Sequence, residues 1–378
     1  GTSVDLTVFR KSENRTFNVK VKRGIVPLKS VDAFYMLTKD MGYIKVNRFA
    51  ESTYKEFKDA LGKLQKRGAR KLVLDLRDNP GGYLGMAEEM ADEFLEDGKL
   101  ILFTKNKKGK ISKSFATDEG SFEDKPIYVL INERSASASE IVAGALQDND
   151  IGTIVGRRSF GKGLVQREMA LGDGSAVRLT VSRYYTPTGR SIQKTYANGT
   201  KDYYQRFTDR YHSGEMISVD SIKVADSLKF VTPKGKVVYG GGGIIPDVFV
   251  PIGSNEEEAV DSMDNLGFIS FFVFEHLDED RERYAQYTQE DFVNDFRVDD
   301  ILFEKFVEYS VDRNLRMNFY EHENSIKLFL KANIAEQLFN TNIHAKIKAD
   351  EDLMLQKVLE LDGGGIEQQE SGAIKTYN

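Results

Sequence analysis

The chain has 378 residues, 40% hydrophobic and 30% charged, which is the composition of a folded protein and excludes collagen-like or globally disordered chains. At about 150 residues per domain its length predicts two or three domains, and no apolar stretch approaches the ~18 residues of a membrane span. The sequence contains no cysteine, which excludes disulfides, thiolate catalysis and cysteine-based zinc sites.

Charge is divided unevenly along the chain. Residues 1–253 carry 41 Lys and Arg against 31 Asp and Glu, a net of +10, whereas residues 254–378 carry 12 against 28, a net of -16. Such a change marks a boundary near residue 253. The basic part has no block of Lys and Arg interleaved with aromatic residues, so we expect no nucleic-acid partner.

Two runs of alternating apolar and polar residues open the chain. Residues 4–8 and 17–21 predict strands, joined by the polar turn Lys11 to Arg15. Because a two-stranded hairpin alone is marginal in water, we expect residues 1–28 to be the last strands of a larger domain. On this expectation the chain is a fragment of a longer precursor, and any targeting segment lies in the missing part.

Strands and helices then alternate. Apolar runs predict strands at 42–49, 71–76, 100–103, 127–131, 151–155 and 176–185, with helices near 54–64, 86–94 and 139–147. This alternation predicts an α/β core with much parallel pairing. Residues 197–235 are weakly patterned and are interpreted as an insertion. After Gly253, apolar residues at i, i+4 spacing predict an acidic helical segment, and residues 363–378 are expected to form a flexible tail.

Three serines, Ser135, Ser137 and Ser139, alternate with alanines between a predicted buried strand and a helix. One serine can cap the helix, and Glu140 suits its first turn, so a purely structural role is possible. Three hydroxyls flanked by alanine also leave open space at a helix N-terminus, where backbone N–H groups can stabilise an oxyanion. The residues alone leave both interpretations open.

A nucleophilic serine needs a base. The four histidines, at 212, 276, 322 and 344, all lie more than 60 residues from the serines and form no recognisable triad motif. A neutral lysine is the alternative. Its reference pKa of about 10.4 must fall by about 3 units for catalysis, which corresponds to about 4 kcal/mol and is attainable by burial.

Lys162 is the conspicuous lysine, in the segment Gly156 to Gly163 that follows a predicted strand. The spacing G-x-x-x-x-G-K matches a phosphate loop, but Gly163 stands where Ser or Thr would hold Mg²⁺, and residues 164–166 favour a strand over a helix. Nucleotide binding is therefore the weaker interpretation. The stronger one places Lys162 on a tight glycine turn, where Phe160 helps to exclude water from a general base.

The turn at residues 78–82, Asp-Asn-Pro-Gly-Gly, follows the most apolar predicted strand. It is either an ordinary turn with glycines at positive φ, or a set of exposed N–H groups at the carboxyl end of a strand, where α/β proteins commonly build sites.

Together these segments resemble the C-terminal processing peptidases, also called tail-specific proteases, of serine peptidase family S41. The matching stretches are LVLDLRDNPGG at 72–82, SASASEIVAGALQD at 135–148, GRRSFGKGLVQ at 156–166 and GGIIPD at 242–247. Their order and the offset from Ser137 to Lys162 both fit the family. The resemblance covers roughly residues 29–253.

The resemblance implies a role for individual residues. It implies Ser137 as nucleophile, Lys162 as general base, Asp148 and Gln166 as groups that orient or support the lysine, and the amides of Ala138 with Gly81 or, preferably, Gly82 as the oxyanion hole. No metal and no cofactor are implied.

The resemblance also implies a fold. It is an α/β fold with a crotonase/ClpP-like ββα core at 29–253, preceded by a remnant of a PDZ-like domain at 1–28. Residues 254–378 then form an acidic, mostly helical extension, a candidate surface for homo-oligomerisation or an adaptor.

The implied function is a serine endopeptidase that cleaves proteins near their C-termini through an acyl-enzyme formed by a Ser-Lys dyad. Its partners would be unfolded or C-terminally exposed proteins and peptides, with no nucleic acid and no nucleotide, and its location a bacterial periplasm or cell envelope. An alternative of a different class is a catalytically silent protein of the same fold that binds peptides or acts as a scaffold.

Overall fold

The computed structural model describes residues 1–10, 13–196, 199–253, 260, 262–264 and 266–363. Contacts divide them into two units. The terminal unit contains Gly1–Ala33 and the chain from Gly253 to Lys348, and the α/β unit contains Phe34–Ile252 and the chain from Ala349. The three segments expected from the sequence stay predictions, and the expected tail lies outside the described residues from residue 364 onward.

The described strands are β1 (Ser3–Arg10), β2 (Arg15–Lys22), β3 (Val31–Met36), β4 (Met41–Val46), β5 (Lys71–Asp75), β6 (Leu100–Asn106), β7 (Ile111–Phe115), β8 (Ile127–Ile131), β9 (Gly152–Gly156), β10 (Leu164–Ala170), β11 (Ala176–Tyr185), β12 (Lys229–Val231), β13 (Val237–Tyr239) and β14 (Val248–Phe249). The described helices are α1 (Thr53–Lys66), α2 (Leu84–Asp92), α3 (Ala138–Asp148), α4 (Gly199–His212), α5 (Phe268–Asp280), α6 (Gln289–Asn294), α7 (Asp300–Asp312), α8 (Glu323–Leu338), α9 (Thr341–Lys348) and α10 (Leu353–Leu361).

A six-stranded sheet in the order β14-β9-β8-β5-β4-β3 forms the centre of the α/β unit. Strands β4, β5, β8, β9 and β14 pair in parallel. The apolar runs of β5 and β8 are almost wholly buried, as expected for parallel strands covered on both faces. The predicted α/β core with parallel pairing is therefore confirmed, whereas its assignment as a ClpP-like stack stays a prediction.

Helix α3 is buried along its whole length. Its small residues allow this close packing: a Cβ at Gly144 would lie 2.8 Å from the Thr186 side chain. Because α3 follows β8, its N-terminus lies at the carboxyl edge of the sheet, beside the turn that follows β5. That edge is where α/β folds place their sites.

A second sheet, in the order β10-β11-β6-β7, is antiparallel. Strand β10 begins one residue after Gly163, so a strand follows the Lys162 segment as predicted. The weakly patterned insertion differs from expectation because it contains the regular helix α4. That helix buries only Tyr203 and Arg210, which leaves little apolar periodicity to read.

The terminal unit contains the predicted hairpin, β1 paired with β2 from Ser3↔Lys22 to Arg10↔Arg15. Its assignment to a PDZ-like domain stays a prediction. Helices α5 to α9 pack around an aromatic core that includes Phe272, Phe292 and Phe306. The helical character expected of the acidic segment is therefore confirmed for these residues.

Across the described part of the chain, no helix has both the length and the apolar character needed to cross a membrane. Within the same residues, no group of three or more His, Asp or Glu side chains is placed to hold a metal ion.

Candidate active site

Ser137 is the residue immediately before helix α3, and its backbone is unusual. Its φ of 57° and ψ of -111° lie in a region that residues other than glycine rarely adopt. Such strain costs about 1–3 kcal/mol and collects at functional sites. The Ser137 N–H donates to Glu140 Oε2 at 2.8 Å, which holds the turn in place.

The three serines have different surroundings. Ser135 is buried and its Oγ donates to the Leu76 carbonyl at 2.8 Å. Ser139 is also buried and its Oγ donates to the Asn79 carbonyl at 3.0 Å. Ser137 is only half-buried, and its hydroxyl donates to no described residue. The outer serines therefore fasten α3 to the turn after β5, and the middle one presents its hydroxyl.

Gly81 lies directly against this serine. A Cβ built on Gly81 would lie 2.6 Å from Ala136 O, 2.7 Å from Ser137 Cβ and 2.8 Å from Ala138 N. Its φ of +93° is also a conformation that favours glycine. No larger residue fits here without displacing the start of α3.

Two backbone donors near Ser137 have no described acceptor. Ala138 N is the first N–H of α3, a position without an intrahelical partner, and the residue is 1% exposed. Gly82 N also donates to no described residue, and Gly82 is exposed. The Gly81 N–H, by contrast, already donates to Asn79 Oδ1 at 2.8 Å.

The buried carboxylate of Glu140 joins the Lys162 loop to the start of α3. Besides Ser137 N, it accepts hydrogen bonds from Ser159 Oγ at 2.5 Å, Gly161 N at 2.7 Å and Lys162 N at 2.9 Å. Burial raises the pKa of the Glu140 carboxyl, and these hydrogen bonds partly oppose the rise. One side chain therefore fixes the backbones of both Ser137 and Lys162.

Tyr184 on β11 makes a second connection between the same two residues. Its hydroxyl lies 3.1 Å from Ser137 O and 2.8 Å from Lys162 O, and it donates to these carbonyls. The ring is 1% exposed, and burial raises the pKa of the phenol well above its usual value. The serine and the lysine predicted from the sequence are therefore neighbours.

Lys162 itself is half-buried. Its Nζ makes no hydrogen bond or ion pair with any described residue, and no hydrogen bond joins it to Ser137 Oγ.

Asp148 pairs with residues other than Lys162, and its expected role in orienting the lysine stays a prediction. It is the last residue of α3, about 15 Å along the helix from Ala138 at 1.5 Å per residue. Its fully buried carboxylate accepts hydrogen bonds from Arg190 at 2.7 Å and Thr188 Oγ1 at 2.6 Å, and from no atom of Lys162. A buried carboxylate needs such a cation, and Arg190 supplies it.

Gln166 lies on β10 opposite Thr180, beside a register shift between Val165 and Gln166. It is exposed, and its side chain makes no hydrogen bond with a described residue. Its expected support of Lys162 stays a prediction.

Sequence reasoning missed Glu140 and Tyr184 as parts of the site. The pattern Ser137-x-x-Glu140 is a capping-box signature, in which the carboxylate reaches back to the N-cap amide, and it could have indicated half of the Glu140 role. Nothing local marks Tyr184, which is 22 residues beyond Lys162 and reaches the site only through the sheet.

Comparison with known families gives two matches. Residues 40–203 match the family model described as Peptidase family S41. Residues 260–340 match one described as a family of unknown function (DUF8443).

Curated relatives carry protease names. A "Carboxy-terminal-processing protease" of Bartonella bacilliformis is 41% identical over 197 residues, which are 51% of this chain and 45% of that protein. A "Probable CtpA-like serine protease" of Staphylococcus aureus (strain N315) is 40% identical over 232 residues, 60% of this chain and 45% of that protein. The chain thus spans about half the length of the curated relatives it matches.

Among solved structures, a photosystem II D1 C-terminal processing protease is 26% identical. The alignment covers 66% of this chain and 55% of that one, with a TM-score of 0.42.

Proposed function

We propose that this chain, whose residues 40–203 match peptidase family S41, is the catalytic part of a serine endopeptidase that cleaves proteins near their C-termini. The observation that carries the proposal is the convergence on Ser137. Its hydroxyl donates to no described residue, Gly81 lies directly against the serine, and Glu140 and Tyr184 fix the backbones of Ser137 and Lys162 side by side.

We assign the chemistry as acyl transfer. Ser137 Oγ attacks the scissile carbonyl carbon while neutral Lys162 Nζ takes the hydroxyl proton. The C–N bond then breaks, and the lysine returns that proton to the leaving amine. Water then attacks the ester carbon while Lys162 takes one of its protons. The C–Oγ bond breaks, and Lys162 returns that proton to Ser137 Oγ, which releases the acid and regenerates the serine and the neutral lysine. Lys162 therefore works as a base first and as an acid second.

The N–H groups of Ala138 and Gly82 are assigned to the oxyanion that forms in each tetrahedral intermediate. Both donors lack a described acceptor, whereas the Gly81 amide is occupied by Asn79, which supports Gly82 over Gly81. Gln166 stays a candidate partner for Lys162. Asp148 is assigned instead to Arg190 and the far end of α3.

The wider biology follows from the resemblance. We propose unfolded or C-terminally exposed proteins as substrates and the bacterial periplasm or cell envelope as the location. Residues 254–378 remain a candidate surface for self-association or an adaptor. The curated relatives named as proteases are consistent with the activity.

A paired digest tests the proposal. Wild-type protein and Ser137→Ala are incubated with an unfolded protein that ends in apolar residues, and the products are read by mass spectrometry. Fragments produced by the wild type alone are expected, and their ends map the cleavage preference. Lys162→Ala should be inactive, and Lys162→Arg should not restore activity because arginine stays protonated. Equal fragmentation by Ser137→Ala would refute the proposal, and no fragments from either protein would favour a silent binder.

A further inference from the structure

The loop that carries Lys162 is held on a second side by the insertion. Arg210 of α4 donates from one guanidinium nitrogen to Ser159 O at 3.0 Å and from another to Arg158 O at 2.5 Å. Its side chain is 9% exposed. A buried guanidinium that donates to two consecutive carbonyls fixes the path of that backbone. Because the guanidinium is planar, it sets the orientation of both carbonyl groups at once.

Glu215 orients this guanidinium. Its carboxylate, 5% exposed, accepts from Arg210 Nε at 2.7 Å and from Arg158 Nε at 2.7 Å. Burial, followed by the neighbouring Arg158, lowers the pKa of Arg210. The buried Arg210 and the partly buried Arg158 share one carboxylate here, an arrangement that desolvation makes costly and that good geometry must offset.

Aromatic residues of helix α4 also pack against the loop that carries Lys162. The ring of Phe160 lies against Tyr203 and Phe207 of α4, with centroids 6.1 and 6.0 Å apart. The Lys194 ammonium lies 3.7 Å from the Phe160 centroid and 4.1 Å from that of Tyr203. Lys194 N also donates to Gly161 O at 3.0 Å. Phe160, two residues before Lys162, therefore packs against the insertion and Lys194.

Ser159 connects the two sides. Its carbonyl accepts from Arg210, and its hydroxyl donates to Glu140, whose carboxylate also accepts the Lys162 N–H. If Arg210 is removed, Ser159 loses the bond that orients its peptide. The Glu140 contacts that position Lys162 should then weaken.

We propose that Arg210 is a positioning residue for Lys162, acting through Ser159 and Glu140. The inference rests on the proposed function, since it concerns the general base of that site. The match to family S41 ends at residue 203, so Arg210 and Glu215 lie beyond it. The insertion is thereby part of the catalytic apparatus.

The test compares Arg210→Met, Arg210→Lys and Arg206→Met. Arg206 is on the same helix, one turn earlier, and among the described residues its side chain pairs only with Asp202, at the surface. Peptide hydrolysis gives kcat and KM, and hydrogen–deuterium exchange of peptides covering residues 157–163 gives the protection of the loop. Thermal unfolding is measured in parallel.

For Arg210→Met we expect kcat to fall about 10- to 100-fold, the range expected for a misplaced catalytic group. KM should stay within about twofold, and exchange at residues 157–163 should accelerate. Arg210→Lys should recover part of kcat, because one ammonium can reach one carbonyl. Arg206→Met should match the wild type. Should Arg210→Met not fold, Arg210→Lys and Phe207→Leu replace it, and wild-type kcat in both would overturn the proposal.

The proposal would also be overturned if Arg210→Met lowered the unfolding temperature but left kcat and loop exchange unchanged. That result would show that Arg210 contributes to stability alone. The proposed function can fail separately. If the wild type hydrolyses no peptide, the proposed function is refuted, and the role of Arg210 is then tested by hydrogen–deuterium exchange alone. Faster exchange confined to residues 157–163 in Arg210→Met would still support Arg210 as the residue that holds the loop, and unchanged exchange would overturn it.

Discussion

Replacing Gly81 by alanine would force a methyl group against Ser137 and Ala138. The new Cβ would lie 2.7 Å from Ser137 Cβ and 2.8 Å from Ala138 N, whereas optimal contacts between carbon atoms are about 3.5–4.0 Å. The start of α3 or the glycine turn must therefore move by about 1 Å. The Ala138 N–H, which we propose as an oxyanion donor, would be displaced with it.

The magnitude follows from these distances. A displacement of about 1 Å can cost about 10²-fold in rate, and loss of one oxyanion donor costs about 10²- to 10³-fold. We therefore expect kcat of Gly81→Ala to fall at least about 10²-fold. The φ of +93° adds about 1–2 kcal/mol of backbone strain, and overpacking adds about 1–3 kcal/mol. Stability should therefore fall by about 2–5 kcal/mol.

Gly85→Ala is the matched control. It lies four residues further on, inside α2, and a Cβ there would meet nothing within 4 Å. Alanine is also the better helix former, so neither kcat nor stability should fall. The assay is steady-state peptide hydrolysis on both variants, with urea unfolding of each. Wild-type kcat in a folded Gly81→Ala protein would refute the oxyanion-hole geometry.

Three further changes separate catalysis from stability. Ser139→Ala leaves the Asn79 carbonyl without its hydroxyl donor, so urea unfolding should show a loss of about 1–2 kcal/mol with kcat unchanged. Tyr184→Phe removes about 0.5–1.5 kcal/mol of hydrogen bonding to the Ser137 and Lys162 carbonyls. We therefore expect kcat to fall about 2- to 10-fold at constant KM. An unchanged kcat would show that Glu140 alone is enough to hold Ser137 and Lys162 together. Burial is the largest influence on Asp75 and would raise its pKa, but Arg77 brings that pKa down to about 2. The pKa of Asp75 is lower in the folded than in the unfolded state, so its charged form stabilises the fold at neutral pH. Asp75→Asn should therefore lower the free energy of unfolding by about 2 kcal/mol at pH 6. In urea unfolding this difference between variant and wild type should vanish as the pH falls from about 4 to 2, because the wild-type carboxylate is then protonated.

The central sheet and the position of Ser137 at the start of helix α3 could be predicted because their signals are local. The apolar runs of β5 and β8 follow from burial on both faces. Among three similar serines, only the middle one matched the family position, and the structure explains the difference through the carbonyl partners of Ser135 and Ser139.

The remaining contacts depend on residues distant in sequence. Asp148 matches a family position, but which cation meets its buried carboxylate depends on Arg190, 42 residues later. Helix α4 has a polar sequence because one of the two residues it buries is Arg210, and an arginine gives no apolar signal. Tertiary hydrogen bonds of this kind leave no periodic pattern in the sequence.

Labelling with a fluorophosphonate tests the Ser-Lys dyad most directly. The reagent forms a covalent bond to an activated serine oxygen, and intact-mass measurement followed by peptide mapping identifies the site. One adduct per wild-type chain, on Ser137, is predicted, with no adduct in Ser137→Ala and labelling slowed at least about 10²-fold in Lys162→Met. An adduct on another serine, or wild-type labelling in Lys162→Met, would contradict the assignment of Ser137 and Lys162.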